Sequence, residues 1–200
     1  MATEAADHSW DAGTAAHLRP VAGGQGGALD PHFWLDPTRL ASVGDAMAQQ
    51  LADIDPGYAA TYEENATALR ADLETLDGEI ADALAHCRVT TLVTSHEAFG
   101  YLADRYGLEV VGISGISPSQ EPDPAALAEI ADLVRKRGVT TVYTETLVDP
   151  SVAETVAREA GVHTAVLDPI EGLSDASAGN DYLAVLRADA ATLHDGQGCS

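Results

Sequence analysis

An α/β sandwich lobe with about four parallel strands, preceded by a long linker helix, is the fold class this sequence predicts. Three observations carry that reading. From Cys87 onward, short β-branched runs alternate with helical segments of ten or more residues, and strands separated by such crossovers pair in parallel. Before Cys87, apolar residues recur every three or four positions across residues 57–86, the period of one helix face. The chain has 200 residues and is 46% hydrophobic, enough to bury a core.

Residues 1–30 are polar, rich in glycine and without a stable period, and read as a flexible loop region. They show no positive start followed by an apolar stretch, so no signal segment is read there. GGQGG at 23–27 precedes no clear helix and reads as linker rather than phosphate cradle. The next division, 31–86, begins with PHFWLDP, an apolar knot between Pro31 and Pro37. A helix over 38–53 follows, with Leu40, Val43, Met47 and Leu51 as its stripe, and Asp55-Pro56 ends it. The helix over 57–86 carries Tyr58, Tyr62, Ala66, Leu69, Leu73, Leu76, Ile80 and Leu84 on one face. At 1.5 Å per residue it spans about 45 Å.

The third division, 87–200, is the α/β lobe. Strands are predicted at 89–95, 108–114, 139–145 and 162–168, and helices at 96–107, from Pro124 to Gly138, from Asp149-Pro150 to Gly161, and over DYLAVLRADAATLHD at the end. VTTLV and VTTVY hold equivalent places, which fits either a duplicated unit or a shared β-branched preference.

Charge narrows the function. Thirty-two acidic residues against ten basic ones give a formal net charge of −22, and Lys136 is the one lysine. Such a surface repels nucleic-acid phosphates and anionic membranes and suits a cationic ligand. No apolar run is long enough to span a bilayer. Cys87 and Cys199 are too far apart for a local zinc knuckle, and fit either a disulfide or two separate thiols.

In open parallel sheets, ligands collect beyond the carboxyl ends of the strands. The residues there are Ser95 and His96 after the first strand, Ser114, Gly115 and Ser119 to Glu121 after the second, Glu145 after the third and Asp168 after the fourth. Imidazole with carboxylate suits zinc, manganese or iron. His32, stiffened by flanking prolines among Phe33, Trp34 and Leu35, is a second candidate ligand. A metallohydrolase would also place such residues at strand ends, with Glu97, Glu121 or Glu145 as base. No HExxH, GxSxG or GxxxxGK motif is present, and an interaction module with an incidental metal site is a third class.

DPHFWLDP (30–37), TSHEAFGYLADRYGL (94–108), ISPSQEPDP (116–124), VYTETLVDP (142–150) and LDPIEGL (167–173) resemble the cluster A-I solute-binding proteins of ABC transporters, and most of all their zinc-specific group. The resemblance implies a non-catalytic, extracytoplasmic protein, periplasmic or a cell-surface lipoprotein. It implies Zn2+ as cargo, with Mn2+ as the alternative, and a membrane permease as partner. In that family two α/β lobes are joined by a long helix and the metal lies between them. His32 matches the DPHxW histidine ligand, His96 the SHxAFGY histidine ligand and Asp168 the carboxylate ligand of the LDP motif. The remaining histidine ligand belongs to a first lobe that would precede residue 1. His8 and His17 fall where zinc-specific members carry a histidine-rich loop. With Glu145 they are the auxiliary metal candidates. The export that the resemblance implies also permits a Cys87–Cys199 disulfide.

Overall fold

The structure, a computed structural model, describes residues 9–21, 28–117 and 124–200. His8, the GGQGG run and Ser119 to Glu121 lie outside the described residues. The chain divides into two compact units, Met1–Glu74 and Thr75–Ser200.

In the first unit a short helix, α1 (Ala12–Ala16), stands where the sequence predicts only loop. Asp11 caps it by accepting from the Gly13 N–H at 2.8 Å. Its last carbonyls, Ala16 O and His17 O, each accept from Arg39 Nη1 at 2.8 Å. That long-range guanidinium replaces the partners a one-turn helix lacks. Pro20 and Leu29 form an isolated antiparallel bridge, and a 3-10 turn over Phe33–Leu35 leads into α2 (Pro37–Ile54). Asp36 is the N-cap of α2, accepting from Thr38 N–H at 2.9 Å, with Pro37 at the first helical position. Of the stripe predicted on α2, Val43 is buried, but Met47 is 48% and Leu51 39% exposed. With Tyr62, Ala66 and Leu69 they line an open groove between α2 and the first part of α3 (Ala59–Ala83).

In the second unit the end of α3 buries Leu76 and Ile80. The strands are β1 (Thr91–Thr94), β2 (Glu109–Gly112), β3 (Thr141–Glu145) and β4 (His163–Leu167). They form one parallel sheet in the order β2-β1-β3-β4. Between them lie α4 (Gly100–Tyr106), α5 (Pro124–Arg137) and α6 (Ser151–Ala160), and α7 (Tyr182–Gln197) closes the chain. Gly107 and Gly161 end α4 and α6 in the left-handed conformation that only glycine adopts without cost.

Alternation along the strands sorts the layers. Val93 and Val142 pack with Ala131 and Val134 of α5 and with Ala153, Val156 and Ala157 of α6. Tyr143, pointing the other way, meets α7, where its hydroxyl donates to Gln197 Oε1 at 3.1 Å. Gln197 is fully buried, and its Nε2 donates to Val89 O and Thr91 O at 3.0 Å each. Cys87 and Cys199 are joined in a disulfide beside this knot, closing 112 residues of sequence separation.

Candidate metal centre

The strand order turns in opposite directions on either side of the β1–β3 pair: β1 connects outward to β2, and β3 outward to β4. That reversal opens a crevice beyond the carboxyl ends of β1 and β3. His96 sits there, two residues past the end of β1, and Glu145 is the last residue of β3. Both are buried.

Glu145 holds His96 at two points. Its Oε1 accepts from the His96 backbone N–H at 3.0 Å, and its Oε2 pairs closely with Nδ1. With Nδ1 protonated toward the carboxylate, the lone pair of the ring is on Nε2. Around this histidine the chain is clamped: Thr94 Oγ1 donates to His96 O at 2.6 Å, Ser114 N–H to Ser95 O at 2.8 Å, and Glu97 N–H to Gly115 O at 3.1 Å. Gly112 on β2 makes that clamp fit. A Cβ there would lie 2.5 Å from Glu97 Cγ and 2.9 Å from Glu97 N.

Glu171, in the loop after β4, brings Oε1 to 3.8 Å from His96 Nε2. Glu171 lies within LDPIEGL (167–173), where the family resemblance names Asp168 and not Glu171 as the ligand. Among the described residues, Glu171 offers a carboxylate oxygen near His96 Nε2 in a grouping that could hold a metal ion. The separation of 3.8 Å fits two ligands of one ion, each about 2.0–2.2 Å from it.

Asp168 is buried, but its Oδ1 accepts from Ile170 N–H at 2.8 Å and so is engaged within the loop. Its own N–H donates at 3.0 Å to Oδ1 of Asp189, a buried residue of α7. Its Oδ2 is buried with no hydrogen-bond partner among the described residues, so one oxygen of Asp168 shapes the turn and the other is not engaged by it. Glu145, expected as an auxiliary ligand, has both oxygens turned to His96, the place of a carboxylate that orients a ligating imidazole from behind. Burial pushes the Asp189 carboxyl up to about 8; the Asp168 N–H works against this, and the charges of Asp168 and Glu145 add to it.

In the first unit, His32 is buried under a like arrangement. Asp30 Oδ1 accepts from the His32 backbone N–H at 3.0 Å and meets Nδ1 at 2.8 Å. The Trp34 ring packs edge-on to the imidazole, with centroids 5.4 Å apart. Two histidines therefore share one local design: a buried carboxylate grips the main chain and Nδ1 together, which directs the Nε2 lone pair outward. His17 is different. It is exposed, at the left-handed end of α1, with no such buried carboxylate on its ring among the described residues.

The family described as "Zinc-uptake complex component A periplasmic" matches residues 2–196 of the chain. The zinc-binding lipoprotein AdcA of Streptococcus pneumoniae R6 is 38% identical over 167 residues, which is 82% of this chain and 33% of that protein. The high-affinity zinc uptake system protein ZnuA of Bacillus subtilis is 35% identical over 170 residues, 84% of this chain and 53% of that protein. The chain thus spans a third to a half of the length of these relatives. Among solved structures, the laminin-binding protein Lmb of Streptococcus agalactiae, described as having adhesin and metal-transporting activity, superposes with a TM-score of 0.85. It is 36% identical, with 94% of this chain and 70% of that chain covered. The chain belongs to the family of periplasmic zinc-uptake complex A components.

Proposed function

We propose that this chain binds a zinc ion as cargo, outside the cytoplasm, for delivery to the permease of an ABC importer, and that it catalyses nothing. His96 Nε2 and Glu171 supply two ligands. His32 supplies a further nitrogen, on the strength of the DPHxW resemblance and of the Asp30 grip that its ring shares in kind with His96. The single observation that carries the reading is His96 itself: a fully buried imidazole at the switch point, gripped by Glu145 on Nδ1, with a carboxylate of Glu171 3.8 Å from Nε2. Nitrogen donors with one carboxylate suit zinc better than manganese, which prefers more oxygen ligands. The net charge of −22 attracts any cation and repels anionic substrates.

Calorimetric titration of the metal-free chain with zinc tests the reading. One zinc per chain is expected, with binding weakened at least about tenfold by His96→Ala, by Glu171→Gln and by His32→Ala. Zinc binding that all three variants leave unchanged would refute it.

A further inference from the structure

We propose that Asp168 is a positioning residue: by holding Ile170 in a left-handed turn it aims Glu171 at His96, without itself touching the metal. The inference rests on the reading of His96 and Glu171 as metal ligands and deepens it. Ile170 has φ of 55°. A β-branched side chain crowds its own backbone there, so the conformation is an outlier that persists only where neighbouring groups impose it. It stands directly before Glu171, so its dihedrals set the direction in which the glutamate leaves the loop.

Two hydrogen bonds impose the turn. Asp168 Oδ1 accepts from Ile170 N–H at 2.8 Å, closing the loop over Pro169. Asp168 in turn is anchored from behind, where its N–H donates to Asp189 Oδ1 at 3.0 Å. Asp168 and Asp189 are both buried, at 2% and 3% exposure, so neither bond competes freely with water. The chain from α7 to the ligand therefore runs Asp189, Asp168, Ile170, Glu171. A loop residue in a relaxed conformation would leave a 29%-exposed glutamate free to sample rotamers. The left-handed turn restricts it before the metal arrives.

Ligand and positioning roles differ in what asparagine does. Asp168→Asn keeps an Oδ1 that accepts from Ile170 N–H but removes the carboxylate charge that a ligand supplies. Asp168→Ala removes both. The experiment measures zinc affinity by chelator competition, and the cobalt(II) absorption spectrum of the substituted site, in the full chain and in D168N, D168A and E171Q. Far-UV circular dichroism verifies that each variant is folded. The expected result is D168N within about threefold of the unsubstituted chain with an unchanged cobalt spectrum. D168A and E171Q are each expected to be weakened by about 10–100-fold. If E171Q weakens binding but D168N weakens it as much as D168A, or alters the cobalt spectrum, Asp168 is itself a ligand and the positioning role is overturned while the metal site stands. D168A binding like the unsubstituted chain also overturns it. E171Q binding like the unsubstituted chain overturns the metal-site reading and this inference together.

Discussion

Replacing Asp189 by asparagine should make the protein more stable at high pH and leave it nearly unchanged at low pH. Asp189 is buried in α7, and its carboxyl is pushed from an ordinary 3.8 up to about 8, chiefly by loss of water. Between about pH 4 and pH 8 the folded chain therefore keeps a proton that the unfolded chain releases. The folded state binds more protons across that window, so stability falls as pH rises through it. At about 1.36 kcal/mol per pH unit, the interval comes to at most about 6 kcal/mol, and to about 3–6 kcal/mol once relaxation around the charged group is allowed for. Asparagine reproduces the protonated acid: its Oδ1 still accepts the Asp168 N–H and it never ionises. Urea unfolding of metal-free protein at pH 5 and pH 9, followed by circular dichroism, reads the difference. All other titrating groups are common to the two proteins, so the change in their stability gap with pH isolates Asp189. The gap should widen in favour of the variant by several kcal/mol between the two pH values. Parallel pH profiles would refute a protonated, buried Asp189.

Other perturbations test other joints of the structure. Glu145→Ala should weaken zinc binding by about 10–100-fold, because His96 loses the partner of its Nδ1; chelator competition reads it. Cys87→Ser with Cys199→Ser should lower the unfolding free energy by about 2–5 kcal/mol, measured in urea, since the bridge constrains 112 residues of unfolded chain. Gly196→Ala should cost about 1–3 kcal/mol in the same assay. Its Cβ would meet the Tyr143 hydroxyl head-on and lie 2.9 Å from Cζ, in a site where Gln197 already fixes the tyrosine.

What the sequence made legible were features that neighbouring residues decide. The four strands follow from β-branched runs, and α5 and α6 from proline at their entry and glycine past their end. Features decided by distant partners were not legible. The helix at Ala12–Ala16 depends on Arg39, more than twenty residues away. Met47 and Leu51 have helical spacing, yet spacing does not say whether a neighbouring helix closes over them. Glu145 could be placed at a strand end, but its grip on His96 joins residues 49 apart. Glu171 lies in the same LDPIEGL run, three residues after Asp168. A second carboxylate in the loop beyond β4 was the signal that could have found it. The left-handed turn at Ile170 had no signal in the residue types, since isoleucine is among the last residues to favour it.

Which atoms hold the ion is tested most directly by a crystal of the zinc-soaked chain measured at the zinc absorption edge. The predicted result is one anomalous peak about 2.0–2.2 Å from both His96 Nε2 and a Glu171 carboxylate oxygen, with Glu145 still on Nδ1 and Asp168 still on the Ile170 N–H. A peak bonded to Asp168 or Glu145 in place of Glu171, or one away from His96, would contradict it.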